Sequence, residues 1–217
     1  MKYSIKTISG AALLVSVQSA SAGVIDFIDL TENATGYGES AWTSLNLSSG
    51  GANVAITGYG AAGQQYAYLD WGNAGLGACG KVHTLATVNI MNAGNTSNNC
   101  DPSNDDNVNT REFLRFVFDT DVTITNIWFN NNHDGNFDAL DTVTIDGNPF
   151  GVATGYAWGP NGIGAFNVAA GYNFDVAYSN EQFYISAIEF ASVPESSSLF
   201  LLGLGLLGLA GARKKLH

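Results

Sequence analysis

A chain of 217 residues with 19 acidic and 8 basic side chains has a formal net charge of −11. The imbalance is sharper in residues 23–192, which hold 18 of the acidic residues against Lys81, Arg111 and Arg115 alone, a net charge near −15 at neutral pH. So few cations cannot neutralise a phosphate backbone, which excludes nucleic-acid binding; a 46% hydrophobic share with 26 glycines excludes disorder and suits a secreted β domain with one sizeable core.

Lys2 and Lys6 precede an apolar run from Ile8 to Val17, and Ala20 and Ala22 supply the small residues that a signal peptidase accepts. Basic, apolar and small segments in that order predict a secretory signal peptide over residues 1–22, with the mature chain starting at Gly23.

From there, period-two and β-branched runs predict strands at Val24–Leu30, Thr43–Leu47, Asn53–Thr57, Gln65–Asp70, Phe113–Phe118 and Val122–Phe129. They continue at Thr142–Ile145, Phe150–Thr154, Gly164–Val168, Tyr172–Tyr178 and Gln182–Phe190. Short strands separated by Gly, Asn and Asp, with no long 3.6-residue period, predict an all-β fold over residues 23–192: an antiparallel, jelly-roll-like β-sandwich. Asp146-Gly147-Asn148 is a hairpin signal in which Gly147 can take positive φ. The apolar residues from Phe113 to Phe129 do not keep one alternation, so a bulge or a break at Asp119–Asp121 is expected.

Gly77–Asn109 is the one long irregular stretch, and Cys79 and Cys100, the only cysteines, bracket most of it. In an oxidising compartment a disulfide is the expected state, with a metal site or reactive thiol as the alternative; no Cys-x-x-Cys spacing exists. The stretch carries Asp101, Asn104, Asp105, Asp106 and Asn107 ahead of Glu112, and a second polar cluster runs from Asn130 to Asp141. Two readings stand. Dense carboxylate and amide oxygens on turns suit a hard cation such as Ca²⁺, with Asp105, Asp106 and Glu112 as ligands joined by Asp134 or Asp141; equally, Asn and Asp make plain polar loops by capping backbone groups. Asp134, Asn136 and Asp138 have the spacing of the first half of an EF-hand loop, but Ala139 and Ile145 stand where its glycine and its bidentate glutamate belong.

Catalytic signals are sparse. There is no Gly-x-Ser-x-Gly elbow, and His83 and His133 lie in no metal-ligand spacing. Adjacent residues usually point apart, so His133 beside Asp134 reads as a solvated loop histidine rather than half of a dyad. Glu112, Glu181 and Glu189 could supply paired carboxylates, which only a separation in space would show. Most of the aromatic residues, Trp71 among them, read as core or cross-strand pairs. Tyr156 and Trp158, on a Gly-rich loop, are the exposed exception and a possible ligand platform on which a sugar ring could stack.

The chain ends in Val193-Pro194-Glu195, a serine spacer, an uncharged run from Leu199 to Ala212 and Arg213-Lys214-Lys215. As a helix that run would rise only about 21 Å against the roughly 30 Å of a hydrocarbon core, while the basic end would stay on the cytoplasmic side. It therefore reads as a transmembrane helix suited to transient rather than permanent anchoring. The order of these features resembles the PEP-CTERM sorting signal of Gram-negative bacteria, although Ser196 stands where the second proline of the name-giving tripeptide is expected. The resemblance covers residues 193–217 and implies processing by a membrane-embedded exosortase, in bacteria many of which secrete exopolysaccharide. Such a tail is an address and does not describe its cargo. The sequence thus predicts a non-enzymatic, exported envelope or matrix protein, structural or glycan-associated, with exopolysaccharide as a candidate partner; the alternative is a secreted glycan-active enzyme on the same scaffold.

Overall fold

The computed structural model describes residues 20–32, 37–83, 99–102, 104–131, 133, 135–152, 165–193 and 203. In chain order the elements are β1 (Ala22–Asp26), α1 (Phe27–Glu32), β2 (Ser40–Trp42), β3 (Leu45–Ser49), β4 (Ala52–Gly60), β5 (Gly63–Asp70), β6 (Gly75–Cys79) and β7 (Val82–His83). Then come β8 (Asn99–Cys100), β9 (Phe113–Phe118), β10 (Val122–Asn130), β11 (Thr142–Ile145), β12 (Asn148–Gly151), β13 (Phe166–Val168), β14 (Asn173–Tyr178) and β15 (Tyr184–Ser192).

Thirteen strands form one sheet in the order β12-β11-β14-β9-β4-β5-β6-β15-β10-β13, with β1 added to β15, β2 to β5 and β3 to β4, while β7 and β8 pair separately. The pairs are antiparallel, as expected for an all-β chain with short turns. The sheet curls. Gly63–Gln65 of β5 pair with β4, whereas Tyr66–Asp70 pair with β6, so this strand passes from one half of the sheet to the other. The halves then face each other. Phe118 of β9 meets Phe190 of β15 edge-on at 4.9 Å between ring centres, and Phe166 of β13 meets Phe174 of β14 at 5.4 Å. The antiparallel all-β class is present as one continuous curled sheet.

The core follows from alternation. In β9, Leu114, Phe116 and Phe118 point inward, and in β14 so do Phe174 and Val176. Phe116 and Phe174 are directly paired and their rings stack at 4.9 Å. The broken alternation between Phe113 and Phe129 has two causes. The chain turns between Phe118 and Val122, and β10 shifts register between Ile124 and Asn126, which returns Ile127 to the core. The predicted hairpin is present: Ile145 pairs with Asn148, leaving Asp146 (φ 47°) and Gly147 (φ 76°) as a two-residue turn of the I′ kind.

Two expectations are corrected. The first predicted strand does not reach Leu30, because Asp26 Oδ1 accepts a hydrogen bond from the Asp29 amide (2.9 Å) and caps the short helix α1. Nor is the stretch from Gly77 irregular at its start, since Gly77–Cys79 lie in β6, a strand buried throughout between β5 and β15. Its glycines gave no strand signal. Gly77 is needed where it is: a Cβ there would lie 1.9 Å from the Asp106 carbonyl oxygen.

Candidate functional site

Four neighbouring strands, β5, β6, β15 and β10, share one end of the sheet, where Asp70 faces Gly75, Leu76 faces Ile185 and Asn130 faces Tyr184. The turn after β5 is held from below by the last residue of α1, Glu32, whose Oε1 accepts hydrogen bonds from the amides of Gly72 (2.7 Å) and Asn73 (2.8 Å). Asn130 anchors the adjoining edge by donating from Nδ2 to the Ala74 carbonyl and to Ser186 Oγ. On this rigid rim sit Asp70 at the end of β5, Asp106 in the loop seated on Gly77, and His133 just after β10.

One potential ligand atom from each of Asp70, Asp106 and His133 lies within 4.8 Å of the other two. Asp70 is 5% exposed and Asp106 9%, and His133 Nδ1 stands 3.0 Å from Asp70 Oδ2. On its other side His133 places Nε2 3.3 Å from the Gly72 carbonyl oxygen, and its ring packs edge-on against Tyr184. The Tyr184 hydroxyl donates to Asp106 Oδ1 (2.5 Å). Burial raises the Asp70 pKa above the ordinary carboxylate range, Asp106 adds to the rise, and His133 opposes it. Beside the cluster, Trp71 is 59% exposed on the same turn, with Asn73 also exposed.

The acidic residues singled out in the sequence are distributed differently. Asp105 and Asp106 have different partners, Asp106 being bound by Tyr184. Asp105 accepts from the Gly80 amide and from Asn109 Nδ2 (both 3.3 Å). It lies on the side of Glu112, whose Oε2 accepts from the Asn109 amide at 3.0 Å. Burial pushes the Glu112 pKa up to about 7, with the Asn109 amide opposing and Asp105 adding to the rise. Asp141 closes its own turn by accepting from the Asp138 amide (2.6 Å). Only Asp106 among the expected ligands therefore reaches the three-residue cluster among the described residues. Cys79 and Cys100 form a disulfide. Val193 ends the fold, donating from its amide to the Asp121 carbonyl (2.8 Å). Asp134, Tyr156, Trp158, Pro194 and Glu195 lie outside the described residues, as do the predicted signal peptide through Ser19 and nearly all of the apolar tail.

Asp70, Trp71 and the role of His133 were missed in the sequence. Asp70 read as the last residue of a strand and Trp71 as a core or cross-strand aromatic, and the one usable signal was a carboxylate at the end of an apolar run, immediately before Trp-Gly.

Among the described residues no helix is long and apolar enough to cross a membrane. The chain matches no curated protein and no solved structure. The family model of the PEP-CTERM protein-sorting motif matches residues 192–215. The chain carries that motif and is, by it, an exported, envelope-associated protein sorted by an exosortase-type enzyme.

Proposed function

We propose that the exported β domain is a non-enzymatic component of the envelope or extracellular matrix that associates with neutral glycan through the turn bearing Trp71. The observation that carries this reading is the exposure of Trp71, 59% open to solvent on a turn fixed by Glu32 and His133. An indole face held rigidly at a surface offers a sugar ring a stacking platform at little entropic cost, and the exposed Asn73 adds an amide beside it. Among the described residues the other large exposed aromatic, Tyr172 (73% exposed), stands on a turn tied to Phe118, near the start of β10 and so at the far end of that strand. Charge selects the glycan: a domain near −15 repels polyanionic polysaccharide and leaves neutral chains as the favoured class.

The two carboxylates of the cluster favour binding over hydrolysis. Retaining glycosidases hold their pair about 5–5.5 Å apart across an accessible bond. Asp70 and Asp106 are both buried and each brings an oxygen within 4.8 Å of the other, which does not leave an accessible bond between them.

The test is retention of the purified protein on insoluble neutral β-glucans, cellulose and curdlan, against a polyanionic alginate gel. The neutral matrices should retain it, alginate should not, and Trp71→Ala should weaken retention about tenfold, the loss of one stacking contact. Equal retention of the variant would remove Trp71 from the binding face.

A further inference from the structure

We propose that Asp70, Asp106 and His133 form a binding site for a divalent transition-metal cation of the Zn²⁺ kind. The first observation is the convergence itself, one donor atom from each residue within 4.8 Å of the others, drawn from three separate parts of the chain onto one rim. The second is Asp70 Oδ2, buried and without a hydrogen bond, with His133 Nδ1 facing it at 3.0 Å. A buried carboxylate oxygen without a hydrogen bond is costly, and a cation removes that cost.

His133 is placed by both ring nitrogens: Nε2 lies 3.3 Å from the Gly72 carbonyl oxygen while Nδ1 faces Asp70 Oδ2 at 3.0 Å. Fixing a ligating imidazole through its other nitrogen, by a backbone carbonyl, is how metal sites set tautomer and ring orientation. Tyr184 does the equivalent for Asp106 by binding Oδ1.

Charge and donor type narrow the ion. Two carboxylates balance a divalent cation. The Lys and Arg ion pairs among the described residues, Lys81 with Asp101 and Arg115 with Asp175, do not involve the cluster. One imidazole with two carboxylates suits Zn²⁺ and its transition-metal neighbours, whereas Ca²⁺ asks for six to eight oxygens. With three protein ligands and His133 37% exposed, the remaining coordination position opens to water.

The site is tested on purified protein without a histidine tag, stripped with EDTA and titrated with Zn²⁺ alone, Co²⁺ alone or Ca²⁺ alone. At a hundredfold excess over its Kd, Zn²⁺ should raise Tm by roughly 5–10 °C. Co²⁺ should give visible d–d absorption, and Ca²⁺ should shift nothing. His133→Ala and Asp70→Asn should lose both the shift and the absorption. In the metal-free state Asp70→Asn should melt no lower than the parent, which separates loss of a ligand from loss of the fold. No Zn²⁺ shift and no Co²⁺ spectrum in the parent, a shift that survives His133→Ala, or a larger shift with Ca²⁺ would each overturn the assignment.

Discussion

Glu112 shows how one buried side chain sets a pH dependence. Its pKa rises from 4.5 to about 7 because burial penalises the carboxylate more than the Asn109 amide and Gln65 favour it. A folded-state pKa above the unfolded one gives stability that is complete below pH 4.5 and is lost as pH rises through 7. Melting profiles at pH 5 and pH 8 should differ by up to about 3 kcal/mol from this group, and Glu112→Gln should flatten that difference by stabilising the protein at pH 8. A second prediction concerns Gly77. Because its missing Cβ is filled by the Asp106 carbonyl, Gly77→Ala must push the loop off β6, at a cost of about 3 kcal/mol in denaturant unfolding. Asp106 was legible as a candidate ligand from its acidic loop. Its partnership with Asp70 and His133 was not, because adjacency in sequence sets none of it: the order β5-β6-β15-β10 brings the three together. Trp71 was misread for a different reason: the strand was expected to end at Asp70, as it does, but an aromatic next to it read as a core or cross-strand partner when it stands exposed on the turn.

At the level of elements, the strands with strong alternation were readable almost to the residue. β9 and β11 match their predicted spans because β-branched and aromatic residues there alternate against polar ones. β6 was not readable. Its sequence, Gly-Leu-Gly-Ala-Cys, carries no β-branched residue, and it is a strand because its neighbours on both sides bond to it and bury it. The disulfide that leaves the end of this strand joins residues 21 apart, Cys79 and Cys100, and both are buried. By the loop-closure argument, replacing both with alanine should lower stability by roughly 3 kcal/mol, measured as a shift in the urea midpoint. An unchanged midpoint would show that the loop is held without the cross-link.

For the whole molecule, the all-β antiparallel class was set by composition and turn chemistry, but the single curled sheet was not, because β5 contributes to both halves and no local pattern marks that passage. The folded part opens and closes on paired strands, Ala22 lying opposite Ala191 and Val193 tied to Asp121. The sorting motif, matched at residues 192–215, therefore begins where the sheet ends, so processing near the motif leaves the described domain complete. What remains outside is an acidic surface with an exposed tryptophan on a braced rim. The most direct measurement of a non-enzymatic, glycan-associated role is one incubation of the purified protein with insoluble neutral β-glucan, in which bound protein and newly formed reducing ends are counted together. Retention that depends on Trp71, with no reducing ends above the protein-free control, is the predicted result; release of reducing ends, or failure to be retained at all, would contradict it.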